Sequence, residues 1–321
     1  MFLEILAGRK LQPLALRLRL GATEVPGMPD GGDGLRELST RMPCVIAESD
    51  RAALPAGALE GLLATGCRVA SDDAIFAAGD LGAAPIPNQA TYLAGSWYLR
   101  PPAKPGGSQH ASRTLALQLL HLVAADADTH EIEAIFRHDP SLSYHLLRLV
   151  NSLNRGGKRI TSFAQAILIL GRQQLRRWLN LILFAAHKED PRSQMLTARV
   201  SVRARRMELL AKAAGLDKAH QESAFMAGMF SLLGVLFGMP LAEVLTPLNL
   251  SDELMAALLR MEGELGMMLD TVIAAENADA LRVAGHLEAL GISDSIFNEM
   301  GIEAVAWMLE VVAEAAGGAN V

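Results

Sequence analysis

The punctuation of this chain changes near residue 110, and that change constrains its fold more than any single motif. Before it, proline and glycine recur every few residues, from Pro26 and Pro29 through Gly31, Gly32 and Gly34 to Pro43, Pro55, Pro85 and Pro87. Between these breakers lie short apolar runs: Leu14–Leu20, Cys44–Ala47 and Cys67–Ala70. Short apolar runs bounded by turn residues read as buried strands. Leu54–Thr65 falls between two of them and reads as a helix, which gives a small β-α-β pattern. Residues 101–111, opening Pro-Pro-Ala-Lys-Pro-Gly-Gly-Ser, read as a linker.

Beyond the linker the pattern is helical throughout. Apolar residues recur at helical spacing, and Asp139-Pro140, Ser141, Ser162 and Gly171 supply stops and caps. Helices are expected at about 172–187, 193–214, 218–237, 251–260, 264–277, 279–290 and 294–315. The fold class is therefore α+β: a small α/β unit over residues 1–100, then a larger all-α domain over 112–315. At 51% hydrophobic residues the chain is not disordered. Its low aromatic content, 5%, fits a helical majority built on Leu, Ala and Met.

Two cysteines exclude a disulfide scaffold and fit a reducing compartment. Glu4 interrupts the apolar run at the start, and the charges follow it, the wrong order for a secretory signal. The most apolar segment, Leu179–His187, is far short of the roughly 20 residues of a membrane helix. A cytoplasmic protein without membrane contact is expected.

The net charge of -6 conceals an asymmetry. Residues 150–215 carry thirteen Lys and Arg against three acidic residues, and residues 216–321 carry three against sixteen. Arg199, Arg203 and Arg206 share a helical face, as do Arg172 and Arg176, with Arg177 beside them. Such arginines grip phosphates bidentately. Arg172, Arg176, Arg177, Arg199 and Arg203 are thus candidates for a phosphate or a partner. The alternative is that the basic stretch meets the acidic one inside the fold or across a dimer. Aromatic interleaving is nearly absent, so nucleic acid is not an expected partner.

Glu48 ends the strand Cys44–Ala47, and Asp72-Asp73 follow the strand ending at Ala70. Strand C-terminal ends are where α/β folds build sites. These three carboxylates read either as a divalent-metal cluster or as acidic turn caps. No pair of histidines has zinc spacing, and no phosphate loop or nucleophile elbow occurs.

Several stretches together resemble known families. Asp139-Pro-Ser-Leu-Ser-Tyr-His-Leu-Leu-Arg-Leu-Val-Asn-Ser152, Ser162-Phe-Ala-Gln-Ala-Ile-Leu-Ile-Leu-Gly-Arg-Gln-Gln-Leu-Arg-Arg-Trp178 and Ala224-Phe-Met-Ala-Gly-Met-Phe-Ser-Leu-Leu-Gly234 are similar to the signatures of the HDOD domain. HDOD domains resemble HD phosphohydrolases, whose His-Asp dipeptide binds a metal that activates water. Ser231-Leu232 stands at the matching position, so no metal centre is expected there. The literal His138-Asp139 falls in the first signature, beside a helix-ending proline.

The N-terminal unit resembles a shortened, degenerate EAL domain, the fold that hydrolyses cyclic di-GMP. Val45-Ile-Ala-Glu48, Gly66-Cys-Arg-Val-Ala-Ser-Asp-Asp73 and Gly95-Ser-Trp-Tyr-Leu-Arg-Pro101 carry the likeness. The whole chain is similar to the EAL-HDOD, or YuxH-like, signal-transduction family. The resemblance implies an incomplete catalytic set, with Glu48, Asp72 and Asp73 as degenerate metal positions and Ser231 and Leu232 as a lost one. The expectation is therefore no enzyme, no catalytic residue, no metal and no cofactor. A scaffold or adaptor acting on other signalling proteins is expected, with a homodimer possible. The alternatives are a cyclic dinucleotide sensor using Arg172, Arg176, Arg177, Arg199 and Arg203 and a residual metal-dependent phosphodiesterase. The shortened barrel should expose sheet edges, to be covered by the helices, a second copy or a partner. With Phe230, Leu232 and Leu233 around it, the place beneath Ser231 is expected to be packed shut.

Overall fold

The computed structural model describes residues 1–19, 32–51, 57–79, 85–100, 190–246 and 250–316, with isolated positions elsewhere. The first two HDOD-like signatures, the linker and Arg172, Arg176 and Arg177 lie outside the described residues. The architecture is mixed α+β, a small N-terminal sheet followed by a larger helical region.

The sheet has six strands: β1 (Phe2–Ala7), β2 (Pro13–Arg19), β3 (Cys44–Ala47), β4 (Arg68–Ala70), β5 (Ile75–Ala77) and β6 (Tyr92–Ala94). β1 and β2 form an antiparallel hairpin in which Glu4 faces Arg17. α1 (Asp33–Arg41) precedes β3, and α2 (Glu48–Arg51) and α3 (Ala58–Ala64) lie between β3 and β4. β2, β3 and β4 are mutually parallel, and β5 is parallel to β6. β1 pairs antiparallel with both β2 and β6, so it alone runs against the other five.

The spatial order is β4-β3-β2-β1-β6-β5. β4 and β5 are thus opposite edges, yet only residues 71–74 join them. Five inter-strand steps of about 4.8 Å would separate the edges of a flat sheet by about 24 Å. Five extended residues reach only about 17 Å. The sheet must therefore curl. The small cluster on its inner face bears this out: Leu6, Ala15, Val45 and Ala94 are packed with Ala70, Ile75 and Tyr92, so every strand contributes. Curling, and edge strands of three residues each, limit the open edges.

The outer face carries Ile5, Leu16, Leu18, Cys44, Ile46 and Leu93, and these belong to one core that continues through the helices. The described helices of that region are α4 (Ser193–Ala213), α5 (Lys218–Phe230), α6 (Leu233–Phe237), α7 (Leu241–Leu245), α8 (Asp252–Arg260), α9 (Gly263–Glu276), α10 (Ala280–Leu290) and α11 (Asp294–Ala316). β1 packs on α4, α9 and α11, and α1 packs on α11. The described helices thus cover the sheet's outer face. α4 and α5 approach so closely that a Cβ on Gly228 would lie 2.5 Å from the Ala204 Cα.

The expected helix over 218–237 is two helices. Ser231 bonds back to the Gly228 carbonyl at 2.7 Å, and Leu232 leaves helical geometry at φ -107°, ψ 3°. A serine that bonds its own preceding turn competes with the helix ladder.

Candidate functional site

Two places gather charged side chains. The first is the end of the sheet where β3, β4 and β6 stop. Glu4 and Arg17 lie two residues from Leu6 and Ala15 on their strands, so they share the inner face. They close the small apolar cluster with a polar layer. Arg17 gives two hydrogen bonds to Asp50 Oδ2, from Nε at 3.0 Å and Nη2 at 2.9 Å, and its Nη1 lies 3.7 Å from Glu4 Oε2. Glu4 Oε1 accepts the backbone N–H of Gly95 at 2.9 Å, just past β6. Ser49 donates to Asp72 Oδ1 from its backbone at 3.1 Å and its hydroxyl at 2.8 Å. These bonds hold the Asp72 carboxyl below the usual range. Glu48 turns outward to Arg51 at 3.3 Å, and Asp73 is exposed.

Glu48, Asp72 and Asp73 thus reach the same end of the sheet, as their positions after strands predict, but they do not converge. One is tied to Ser49 and one to Arg51, and at this end of the sheet the carboxylates gathered on a cation are Glu4 and Asp50, around Arg17. Among the described residues no three of His, Cys, Asp and Glu stand together as metal ligands. This donor arrangement does not fit a divalent metal. Arg17 and Glu4 were not singled out from sequence. The signal was available in the alternation of β1 and β2, where a charge falls on an otherwise apolar inner face.

The second place is inside the helical region. Arg199 and Arg203, one helical turn apart on α4, are buried at 8% and 5% exposure. Arg203 donates from Nε at 3.0 Å and Nη2 at 2.5 Å to the two oxygens of Glu276 on α9, a bidentate pair. Its Nη1 donates to Ser231 Oγ at 2.8 Å. Arg199 Nη1 lies 3.7 Å from Glu276 Oε2, and its Nε donates to the Tyr98 hydroxyl at 2.9 Å. Burial works to raise the Glu276 carboxyl, but the Arg203 and Arg199 charges and the Arg203 hydrogen bonds outweigh it and hold it low. A continuous polar chain therefore runs Tyr98–Arg199–Glu276–Arg203–Ser231, from the segment after β6 to the break between α5 and α6.

The guanidinium groups of Arg199 and Arg203 are committed within the fold, where the basic stretch meets the acidic one. Arg206 is buried on the same helix, its Nε without a hydrogen bond and its guanidinium 4.2 Å from the Phe297 ring centre. Burial pulls it down to about 10. Ser231 borders a hollow of about 480 Å³ lined also by Gly234, Val235, Gly238, Met239, Pro240 and Leu241. Phe230, Leu232 and Leu233 are packed into the core beside it, and the Ser231 hydroxyl is held by the Gly228 carbonyl and Arg203.

Residues 113–246 match the family model of the HDOD domain. The chain carries an HDOD domain. Its third signature is the α5–α6 break just described, and its match ends at residue 246, although α8 to α11 pack into the same core. Among curated proteins the chain is 31% identical over 223 residues to the cyclic di-GMP phosphodiesterase CdgJ of Vibrio cholerae serotype O1 (strain ATCC 39315 / El Tor Inaba N16961), covering 69% of this chain and 51% of the relative. It is 32% identical over 153 residues to the uncharacterized protein YuxH of Bacillus subtilis (strain 168), covering 46% of this chain and 37% of the relative. The chain thus spans about half or less of the curated relatives it matches. A solved structure from Shewanella amazonensis SB2B, named provisionally as a phosphohydrolase, overlaps with a TM-score of 0.41 at 17% identity, over 63% of this chain and 93% of its own.

The relative named a phosphodiesterase overturns the expectation that this chain stands outside the enzymes. That expectation rested on Ser231-Leu232 at the His-Asp position and on an incomplete carboxylate set. Loss of one known ligand set does not decide what a related HDOD protein catalyses. No helix among the described residues is long and apolar enough to cross a membrane.

Proposed function

We propose that this chain works in cyclic di-GMP signalling, and that its HDOD domain and sheet act as one coupled body on other signalling proteins. The observation that carries the reading is the 31% identity, over 223 residues, to a protein named a cyclic di-GMP phosphodiesterase. The buried Tyr98-to-Ser231 chain supports the coupling, because it ties the last segment of the sheet to the α5–α6 break through charged hydrogen bonds that are costly to open separately. The placing of Glu48 and Asp72 at strand ends supports reading the sheet as a shortened EAL-like unit. Partner contact then conveys a conformational state of this body.

A second reading is turnover of the cyclic dinucleotide by the chain itself, favoured by the relative's name. One experiment addresses both. The chain is deleted in its native cell and cyclic di-GMP is quantified by mass spectrometry. The purified chain is separately incubated with cyclic di-GMP and Mg²⁺ or Mn²⁺. A changed cellular level with intact nucleotide in vitro supports action through partners, whereas a linear dinucleotide product assigns turnover to the chain. An unchanged cellular level with no product removes the proposal.

A further inference from the structure

The two cysteines belong to neither place. Cys44 opens β3, and Cys67 immediately precedes β4. The parallel register pairs Val45 with Arg68, so one residue earlier on each strand Cys44 stands beside Cys67. Neighbouring strands lie about 4.8 Å apart, inside the range of roughly 4.4–6.8 Å between Cα atoms that a disulfide accepts. Both are free thiols buried in the main core. Cys44 Sγ donates to the Met42 carbonyl at 3.5 Å, and Thr65 Oγ1 lies 3.4 Å from Cys67 Sγ.

Access comes from the edge. β4 is a three-residue edge strand, and Gly66 and Arg68, on either side of Cys67, are exposed. Fraying of one short edge strand is a local opening that leaves the rest of the core in place. The thiols are also unequal. The two thiols titrate as a pair: the neighbouring Cys44 thiol and Thr65 draw Cys67 down against burial, while Cys67 and burial push Cys44 up. Cys67, beside the edge strand and drawn toward its thiolate, is the better placed of the two to attack first.

We propose that Cys44 and Cys67 are a reversible redox pair that closes to a disulfide when challenged by a small disulfide oxidant such as oxidised glutathione. The Cys67 thiolate attacks one glutathione sulfur, breaking that S–S bond and releasing a glutathione thiolate. Cys44 then loses its proton, and its sulfur attacks the Cys67 sulfur of the mixed disulfide, releasing the second glutathione thiolate. Two protein thiols are oxidised by two electrons, one glutathione disulfide is reduced to two glutathiones, and those take up the two thiol protons. The bond fastens the starts of two strands whose far ends lead to Glu48 and Ser49 on one side and Asp72 on the other. Oxidation thereby fixes the register on which the Ser49–Asp72 contact depends.

The test equilibrates the full chain with glutathione buffers from fully reduced to mainly oxidised, traps free thiols by alkylation, and reads intact mass and non-reduced peptide maps. Two alkylated cysteines in reduced buffer, giving way to none and to a Cys44–Cys67 linked peptide in oxidised buffer, is the expected result. In Cys44→Ser the expected product is a stable glutathione adduct at Cys67. The wild-type series decides by itself if that variant does not fold. Two thiols alkylated throughout, a wild-type chain that stops at the glutathione adduct, or a bond between two chains overturns the proposal.

Discussion

Arginine bridges carboxylates in two regions of this protein, and the two bridges differ in what surrounds them. At the strand ends Arg17 lies between Glu4 and Asp50 with 16%, 16% and 27% of the side chains exposed. In the helical region Arg199 and Arg203 share Glu276, with 10%, 6% and 8% exposed. Water can replace much of a lost partner in the first case and little in the second. Exposed ion pairs are worth about 0–1 kcal/mol, whereas breaking a buried pair from one side costs about 3–5 kcal/mol. The strand-end layer is thus free to rearrange, and the helical seam is fixed.

Removing the shared carboxylate is the strongest challenge to that contrast. Glu276→Gln leaves two buried guanidinium groups without an anion, and chemical denaturation should show a loss of about 3–5 kcal/mol. A loss below about 1 kcal/mol would make the seam equivalent to a surface pair.

Acid should distinguish the regions next. The Glu276 carboxyl is held below its ordinary range in the folded state, so its contribution is fully present above the unfolded value of about 4.3 and is lost as pH falls through the folded value. The urea midpoint of the wild type should therefore drop as pH is lowered through the carboxylate range, and the drop should be shallower in Glu276→Gln.

At the strand ends, Arg17→Ala should cost about 1 kcal/mol in the same denaturation assay, because Glu4 keeps the Gly95 N–H and Asp50 is partly solvated. Arg51→Ala, which removes only the exposed partner of Glu48, should change stability by less than about 0.5 kcal/mol.

The two regions were also unequally legible. β3 and β4 are readable because Cys44–Ala47 and Cys67–Ala70 are short runs between breakers, and the helices from Ser193 onward follow their apolar period to within a few residues. β1 escapes the same reading because Glu4 interrupts it, yet Glu4 is the inner-face charge that meets Arg17. β5 and β6 are three residues each, too short for any period to register. Ser231 breaks α5 from α6 through its own hydroxyl, which apolar periodicity does not record. α7 (Leu241–Leu245) follows Pro240 and is likewise too short to read. The charge asymmetry was visible, but the pairing of Arg203 with Glu276 spans 73 residues of sequence. Only the packing of α4 on α9 brings them together.

Arg203 of the basic stretch and Glu276 of the acidic one are consumed against each other inside the fold. A double-mutant cycle on Arg203→Met and Glu276→Leu, read by urea unfolding of the full chain, tests it most directly. The account predicts that each single change destabilises by at least about 2 kcal/mol and that the double variant recovers much of that loss, since neither charge is then left buried alone. Losses that simply add would contradict it.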